Sequence, residues 1–124
     1  MYYYTGMLPK SNRLTKRGSF RYLYRNGTRK RERKLSLTYV CTKGNVRAGF
    51  SVSNKVGKAV RRNKLKRRMR AAFRTLLPHV KRAQMVFTAS PDAVDMEYAA
   101  VKAEMEKLLR ASGLYETKKT ENSD

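Results

Sequence analysis

Residues 46–77 read VRAGFSVSNKVGKAVRRNKLKRRMRAAFRTLL, and the change of period inside this stretch sets the architecture. Val46 to Ser53 alternates, with Val46, Ala48, Phe50 and Val52 on one face, as a half-buried strand does. From about Ala59 to Leu77 the apolar residues recur at helical spacing. Leu65, Met69, Ala72, Phe73 and Leu76 make the stripe, and Pro78 helps to end the helix. Asn63, Arg67, Arg70 and Arg74 project most directly away from that stripe, with Lys64, Lys66 and Arg68 on its flanks. An apolar strand therefore feeds a helix whose outer side is almost wholly cationic.

Upstream, Leu35 to Thr42 also alternates. Leu35, Leu37, Tyr39 and Cys41 face one way, and Ser36, Thr38, Val40 and Thr42 the other. Lys43-Gly44-Asn45 reads as the hairpin turn joining the two strands. Before them, residues 15–26 read as a helix with Thr15 as N-cap and Gly27 as its stop. Phe20, Leu23 and Tyr24 share one side of it, and Arg17, Arg21 and Arg25 form a basic edge. Arg29-Lys30-Arg31-Glu32-Arg33-Lys34 reads as a charged connection. Downstream, Met85 to Ala89 reads as a buried strand. Asp95 caps a last helix with the stripe Tyr98, Val101, Met105, Leu108 and Leu109, ending near Gly113. The order predicts an α+β fold, helices packed on a small sheet. A length of 124 residues fits one domain over 1–124, with disordered ends expected at about 1–8 and 116–124.

Formal net charge is +21, from 30 Lys plus Arg against 9 Asp plus Glu. Residues 1–91 carry 25 of the bases and a single acid, Glu32, whereas residues 92–124 hold 5 bases and 8 acids. Such a charge opposes compaction unless a polyanion neutralises it, and nucleic acid supplies closely spaced phosphates and releases counterions on binding. An ordinary solvated surface intersperses both signs, so phosphate binding is the preferred reading of the helix face. Arginine adds a planar fork that holds a phosphate through two hydrogen bonds. Phe20 and Tyr24, beside arginines, suit stacking of unpaired bases as well as packing in a core; the residues alone leave both open.

The composition argues against chemistry carried by the protein. A metal-dependent nuclease needs clustered carboxylates or histidines, and the basic region offers only Glu32 and His79. With one His and one Cys, no nucleophilic triad can be assembled; no catalytic residue, no metal ligand and no cofactor of the protein itself is expected. His79, after Pro78 at a helix end, reads as structural, and Cys41, in an apolar run, as core filler. The lone cysteine suits a reducing cytoplasm, and with no membrane-length apolar run and no secretory start, a cytoplasmic protein without a membrane partner is expected.

The stretch Gly49-Phe50-Ser51-Val52-Ser53-Asn54-Lys55-Val56-Gly57-Lys58-Ala59-Val60-Arg61-Arg62-Asn63-Lys64-Leu65-Lys66-Arg67-Arg68 resembles the signature of the bacterial ribonuclease P protein family. Weaker matches extend to Asn12-Arg13-Leu14, Ser19-Phe20, Tyr24 and Gly27 upstream, and to the last strand and helix. The resemblance implies a four-stranded mixed sheet with three helices in the order α-β-β-β-α-β-α, including a left-handed strand–helix–strand crossover. It implies partnership with ribonuclease P RNA, which, with Mg²⁺, cuts precursor tRNA to leave the mature 5′ end; no obligate protein partner is implied. Lys55, Arg61, Arg62, Asn63, Lys64, Lys66, Arg67 and Arg68 match the RNA-binding motif, and Arg70 continues that basic face. Phe20, Tyr24, Ser36 and Thr38 match the cleft that guides the single-stranded 5′ leader. Lys64 stands where the pattern has arginine and Asn54 where lysine is common; Gln84, Ser90 and Ala71 also depart from it, and Ser36 and Thr38 are smaller than usual cleft residues.

Rival readings are a ribosomal protein, a small DNA-packaging protein and a stand-alone nuclease. The first explains the charge but not the signature, the second predicts binding to any duplex, and the carboxylate shortage argues against the third.

Overall fold

The computed structural model describes residues 9–116, which form three α-helices and a four-stranded mixed sheet. In chain order the elements are α1 (Arg17–Asn26), β1 (Thr28–Arg31), β2 (Leu35–Cys41), β3 (Arg47–Val52), α2 (Ala59–Leu76), β4 (Ala83–Ala89) and α3 (Tyr98–Ala111). The strands lie in the order β1-β2-β4-β3. β2 runs antiparallel to both β1 and β4, and β3 runs parallel to β4.

This order overturns the expected hairpin at Lys43-Gly44-Asn45, because β2 and β3 are not neighbours. The physical reason lies in β4. Met85, Val86 and Phe87 are all fully buried, and successive residues of a strand face opposite sides, so β4 is apolar on both faces. Such a strand belongs in the middle of a sheet. The chain therefore steps across one strand position after β2, and α2 carries it back so that β4 fills the gap. The Arg29–Lys34 run is likewise not a mere connection: its first half is the edge strand β1, and the turn is closed by the Glu32 N–H donating to Leu35 O at 2.9 Å. Lysine and arginine along an edge also discourage pairing with other chains. The free edge of β3 is covered by the segment before α1, where Leu14 N–H donates to Ala48 O at 3.0 Å and Asn12 Nδ2 to Val46 O at 2.7 Å.

The sheet has two unequal sides. α2 and α3 pack on one, around a core of 21 buried residues. At its centre the rings of Phe50, Phe73 and Phe87 lie 5.7–6.1 Å apart between centroids. The predicted α2 stripe Leu65, Met69, Ala72, Phe73 and Leu76 is buried here as expected. On the other side α1 packs, among the described residues, over the buried cluster Leu14, Leu23 and Val86, with Phe20 and Val40 half-buried against them.

Helix ends and two single residues differ from expectation. α1 begins two residues after Thr15, with Lys16 at its cap and no side-chain bond there. Gly27 does end it, for close approach rather than a left-handed turn: a Cβ would lie 2.6 Å from Leu23 O and 2.9 Å from Thr38 Cγ2. Glu97, not Asp95, precedes α3, and Tyr98 is 38% exposed, so the buried stripe starts at Val101. Gly113, with φ of 77°, closes α3 as Leu114 N–H donates to Leu109 O at 2.9 Å. Cys41 is exposed rather than core filler, since β2 runs past the helix layer and its burial fades toward that end.

His79 is held as a structural residue: Nδ1 lies 3.0 Å from Glu116 O and its ring stacks on Tyr115 at 5.3 Å. Glu116 N–H also donates to His79 O at 2.8 Å, so the chain is pinned as far as Glu116; the rest of the expected disordered ends falls outside the described residues. No helix among the described residues is long and apolar enough to cross a membrane.

Candidate nucleic-acid interface

The α2 stripe faces the core, so helical geometry turns Arg61, Asn63, Lys64 and Arg67 into solvent, while Arg62, Lys66, Arg68 and Arg70 are half-buried along its flanks. Lys55 is exposed in the turn that leads into the helix, where Ser53 Oγ accepts its N–H at 3.1 Å. No acid lies on α2. Burial, and then the like charges of Arg67 and Arg13, lower the Arg70 pKa from its ordinary value. An arginine stays charged regardless, so Arg70 remains a cation beside other cations on this flank of α2.

Arg70 and Lys66 reach around the β3 edge to a cavity of about 190 Å³, which also touches Arg13, Phe20, Gly49 and Phe50. Here the basic helix meets the aromatic part of the predicted site. Phe20 is half-buried, with its ring so close over Gly49 that a Cβ there would lie 2.6 Å from two ring atoms. One sequence-predicted ring thus combines packing with cavity lining. Tyr24, one turn further along α1, is 54% exposed and does not line that cavity; its neighbour Tyr22 is equally exposed on the outer side.

Ser36 and Thr38 both face the α1 side of β2, but differently. Thr38, 5% exposed, is packed beneath Gly27 at the end of α1, so it supports the helix rather than presenting a free surface. Ser36 lies on the next rung of that face, where register aligns Arg31, Ser36, Thr88 and Ser51 across all four strands. This row runs beside the row that α1 covers and makes a polar floor from β1 to β3. Arg31, Ser51, Thr88 and the cavity residue Arg13 were not among the site residues expected from sequence, because only the fold puts them together.

A second cavity, about 220 Å³, lies between α2 and the segment before α3, where Arg61, Lys64 and Arg68 meet Asp95 and Glu97. It marks the border at which the acid-free surface ends. Among the described residues, no group of three or more His, Cys, Asp or Glu is placed to hold a metal ion.

A family model described as ribonuclease P matches residues 8–113 of this chain. The ribonuclease P protein component of Clostridium botulinum strain 657 is 38% identical over 110 residues, covering 86% of this chain and 98% of that one. The chain belongs to the ribonuclease P protein family. The protein component from Caldanaerobacter subterraneus is 35% identical, over 90% of this chain and 98% of that protein. Among solved structures, a Staphylococcus aureus RNase P protein mutant with defective mRNA degradation activity superposes with a TM-score of 0.81 at 27% identity, over 93% of this chain and 99% of that one.

Within the ribonuclease P signature the structure separates two kinds of arginine. Arg62 Nη1 donates to Gly57 O at 2.7 Å, pinning the turn in which Gly57 has φ of 140°. Arg68 Nη1 donates to Met96 O at 2.7 Å, tying α2 to the chain entering α3. Each keeps further N–H donors for a ligand, but each is also a brace. Arg61 and Arg67 make no such brace among the described residues and are exposed, as is Lys64.

Proposed function

We propose that this chain is the protein subunit of a ribonuclease P ribonucleoprotein that matures the 5′ end of precursor tRNA in the cytoplasm. Its α2 face, centred on Arg61, Lys64 and Arg67 with Lys55 and Asn63, docks on the ribonuclease P RNA. The groove along α1, from the Phe20 cavity over the Ser51–Thr88–Ser36 row, holds the single-stranded leader. The observation that carries this reading is the cavity where Phe20 meets Lys66 and Arg70, since it joins a phosphate-binding face to a ring able to stack a base.

The RNA supplies the chemistry, with Mg²⁺ held by RNA phosphates. The protein contributes positive charge where two RNAs meet, which lowers the Mg²⁺ needed to bring them together. No membrane and no obligate second protein enters this scheme.

The test is reconstitution with a bacterial ribonuclease P RNA at low Mg²⁺, scored as correct 5′ cleavage of a precursor tRNA. Arg61→Ala with Arg67→Ala should weaken assembly and reduce the salt slope by about 0.7–0.9 for each phosphate left without its arginine. These two are cleaner probes than Arg62, whose removal would also release the Gly57 turn. Phe20→Ala should instead weaken leader-bearing precursor more than mature tRNA. Cleavage by the polypeptide after all nucleic acid had been destroyed would sink the proposal.

A further inference from the structure

The Arg29–Lys34 run has no part in the function proposed above, yet it forms the wall of a cavity of about 310 Å³ at the end of the sheet where β1 turns into β2. Arg29, Arg31, Arg33 and Lys34 line it against a single carboxylate, Glu32. The opposite side is made of hydroxyl side chains from three different strand ends: Ser36, Thr88, Ser53 and Ser90. Ser53 Oγ accepts the Lys55 N–H, leaving its own O–H to donate elsewhere. Ser90 Oγ is buried and has no hydrogen-bond partner among the described residues.

The cavity is held in shape without using its cations. Glu104 of α3 accepts the N–H groups of Lys34 and Leu35 at 3.1 and 3.2 Å. Ser90 N–H donates to Lys34 O at 2.9 Å, locking the turn to the end of β4. The fold thus anchors the turn through its backbone and leaves the guanidinium groups of Arg29, Arg31 and Arg33 exposed. Forked cations facing hydroxyl donors on a fixed frame suit one ligand chemistry, a tetrahedral oxyanion with several acceptor oxygens.

We propose that this cavity is a phosphate-binding site, distinct from the α2 face, which takes a backbone phosphate of the RNA strand as it leaves the groove. The second half rests on the leader path proposed above. The Arg31–Ser36–Thr88–Ser51 row supplies the connection: it spans three strand spacings, about 14 Å, from the β3 side of the groove to this cavity. A strand held at Phe20 and following that floor arrives at Arg31.

Two measurements on the full chain test it. In the first, inorganic phosphate is titrated while backbone amide shifts are followed by NMR. Shifts at residues 31–36 and 90 that vanish in Arg31→Ala/Arg33→Ala, but persist in Arg61→Ala/Arg67→Ala, support the site. In the second, the reconstituted ribonucleoprotein binds precursors with leaders of increasing length. The Arg31/Arg33 variant should leave short leaders unaffected and bind long ones severalfold more weakly, with a salt slope lower by about 0.7 per single-strand phosphate released from the cavity. Absence of phosphate shifts at the cavity would overturn the site altogether. Phosphate shifts with equal effects on short and long leaders would assign the cavity to a free phosphate ion and remove it from the RNA path. Neither result bears on the α2 face, which the Arg61/Arg67 variant tests separately.

Discussion

The two faces of the sheet are built to different standards. Among the described residues, 21 buried ones interlock on the α2/α3 side, whereas on the α1 side three do, helped by half-buried Phe20 and Val40. The first face provides the fold's cohesion. The second has a polar row beside α1 and a ring resting on the backbone of Gly49. In the function proposed above, a surface kept this thin accepts bases and phosphates without opening the core. The cost is that α1 is only lightly fastened, so its position depends on close backbone approach at two glycines.

Truncating one aromatic on each side of the sheet should separate the two faces most strongly. Phe73 is fully buried between Phe50 and Phe87, with centroids 5.9 and 5.7 Å away, so Phe73→Ala should cost about 3–5 kcal/mol. That is a large share of the roughly 5–15 kcal/mol typical of a whole domain. Phe20→Ala removes a half-buried ring from the thin side and should cost about 1–2 kcal/mol while leaving a folded protein. Urea midpoints measure both. Equal losses would mean that the α1 face is as integral to the core as the other.

Next in size is Gly27→Ala. The new Cβ would meet backbone, Leu23 O at 2.6 Å and Tyr39 O at 3.0 Å, as well as Thr38 Cγ2, so the end of α1 must lift from β2. Overpacking of this kind costs about 1–3 kcal/mol. The damage should stay on the thin side: faster hydrogen exchange in α1 with unchanged protection in α2. Loss of protection in both helices would show that the two faces unfold as one unit.

The same asymmetry explains what could be read in the sequence. The α2 stripe and the inward faces of β2 and β3 were legible because each follows from periodicity within one segment. The position of β4 was not, although its signal was present. Met85-Val86-Phe87 announces burial on both faces, but a tight-turn sequence at Lys43-Gly44-Asn45 argued locally for pairing β2 with β3. The edge strand β1 was hidden because Arg29, Lys30 and Arg31 lack the alternation of a half-buried strand. The outward turn of α2's basic face was legible from the period of its stripe, whereas the leader cleft is what the family resemblance contributes to the proposal. The braces at Arg62 and Arg68 were not legible, since a bond to Gly57 O or Met96 O depends on where a loop returns in space. Ser51 and Thr88 joined Ser36 only once register was known.

The smallest expected effect is the most discriminating. At Gly49 a Cβ would lie 2.6 Å from Cε1 and Cζ of Phe20 and 3.5 Å from Leu14 Cβ. The crowded atoms sit at the far end of a side chain, so Gly49→Ala should swing the ring rather than move the strand. The cost is then that of a displaced rotamer, about 0.5–1.5 kcal/mol. Binding should respond selectively: weaker for leader-bearing precursor, unchanged for mature tRNA. Combined with Phe20→Ala the effects should fall well short of additive, because the second change removes the ring that the first displaces. Full additivity in that double-mutant cycle would show that Gly49 acts on the leader by some route other than Phe20, and the thin face would lose its claim to be a ring laid on backbone for RNA to use.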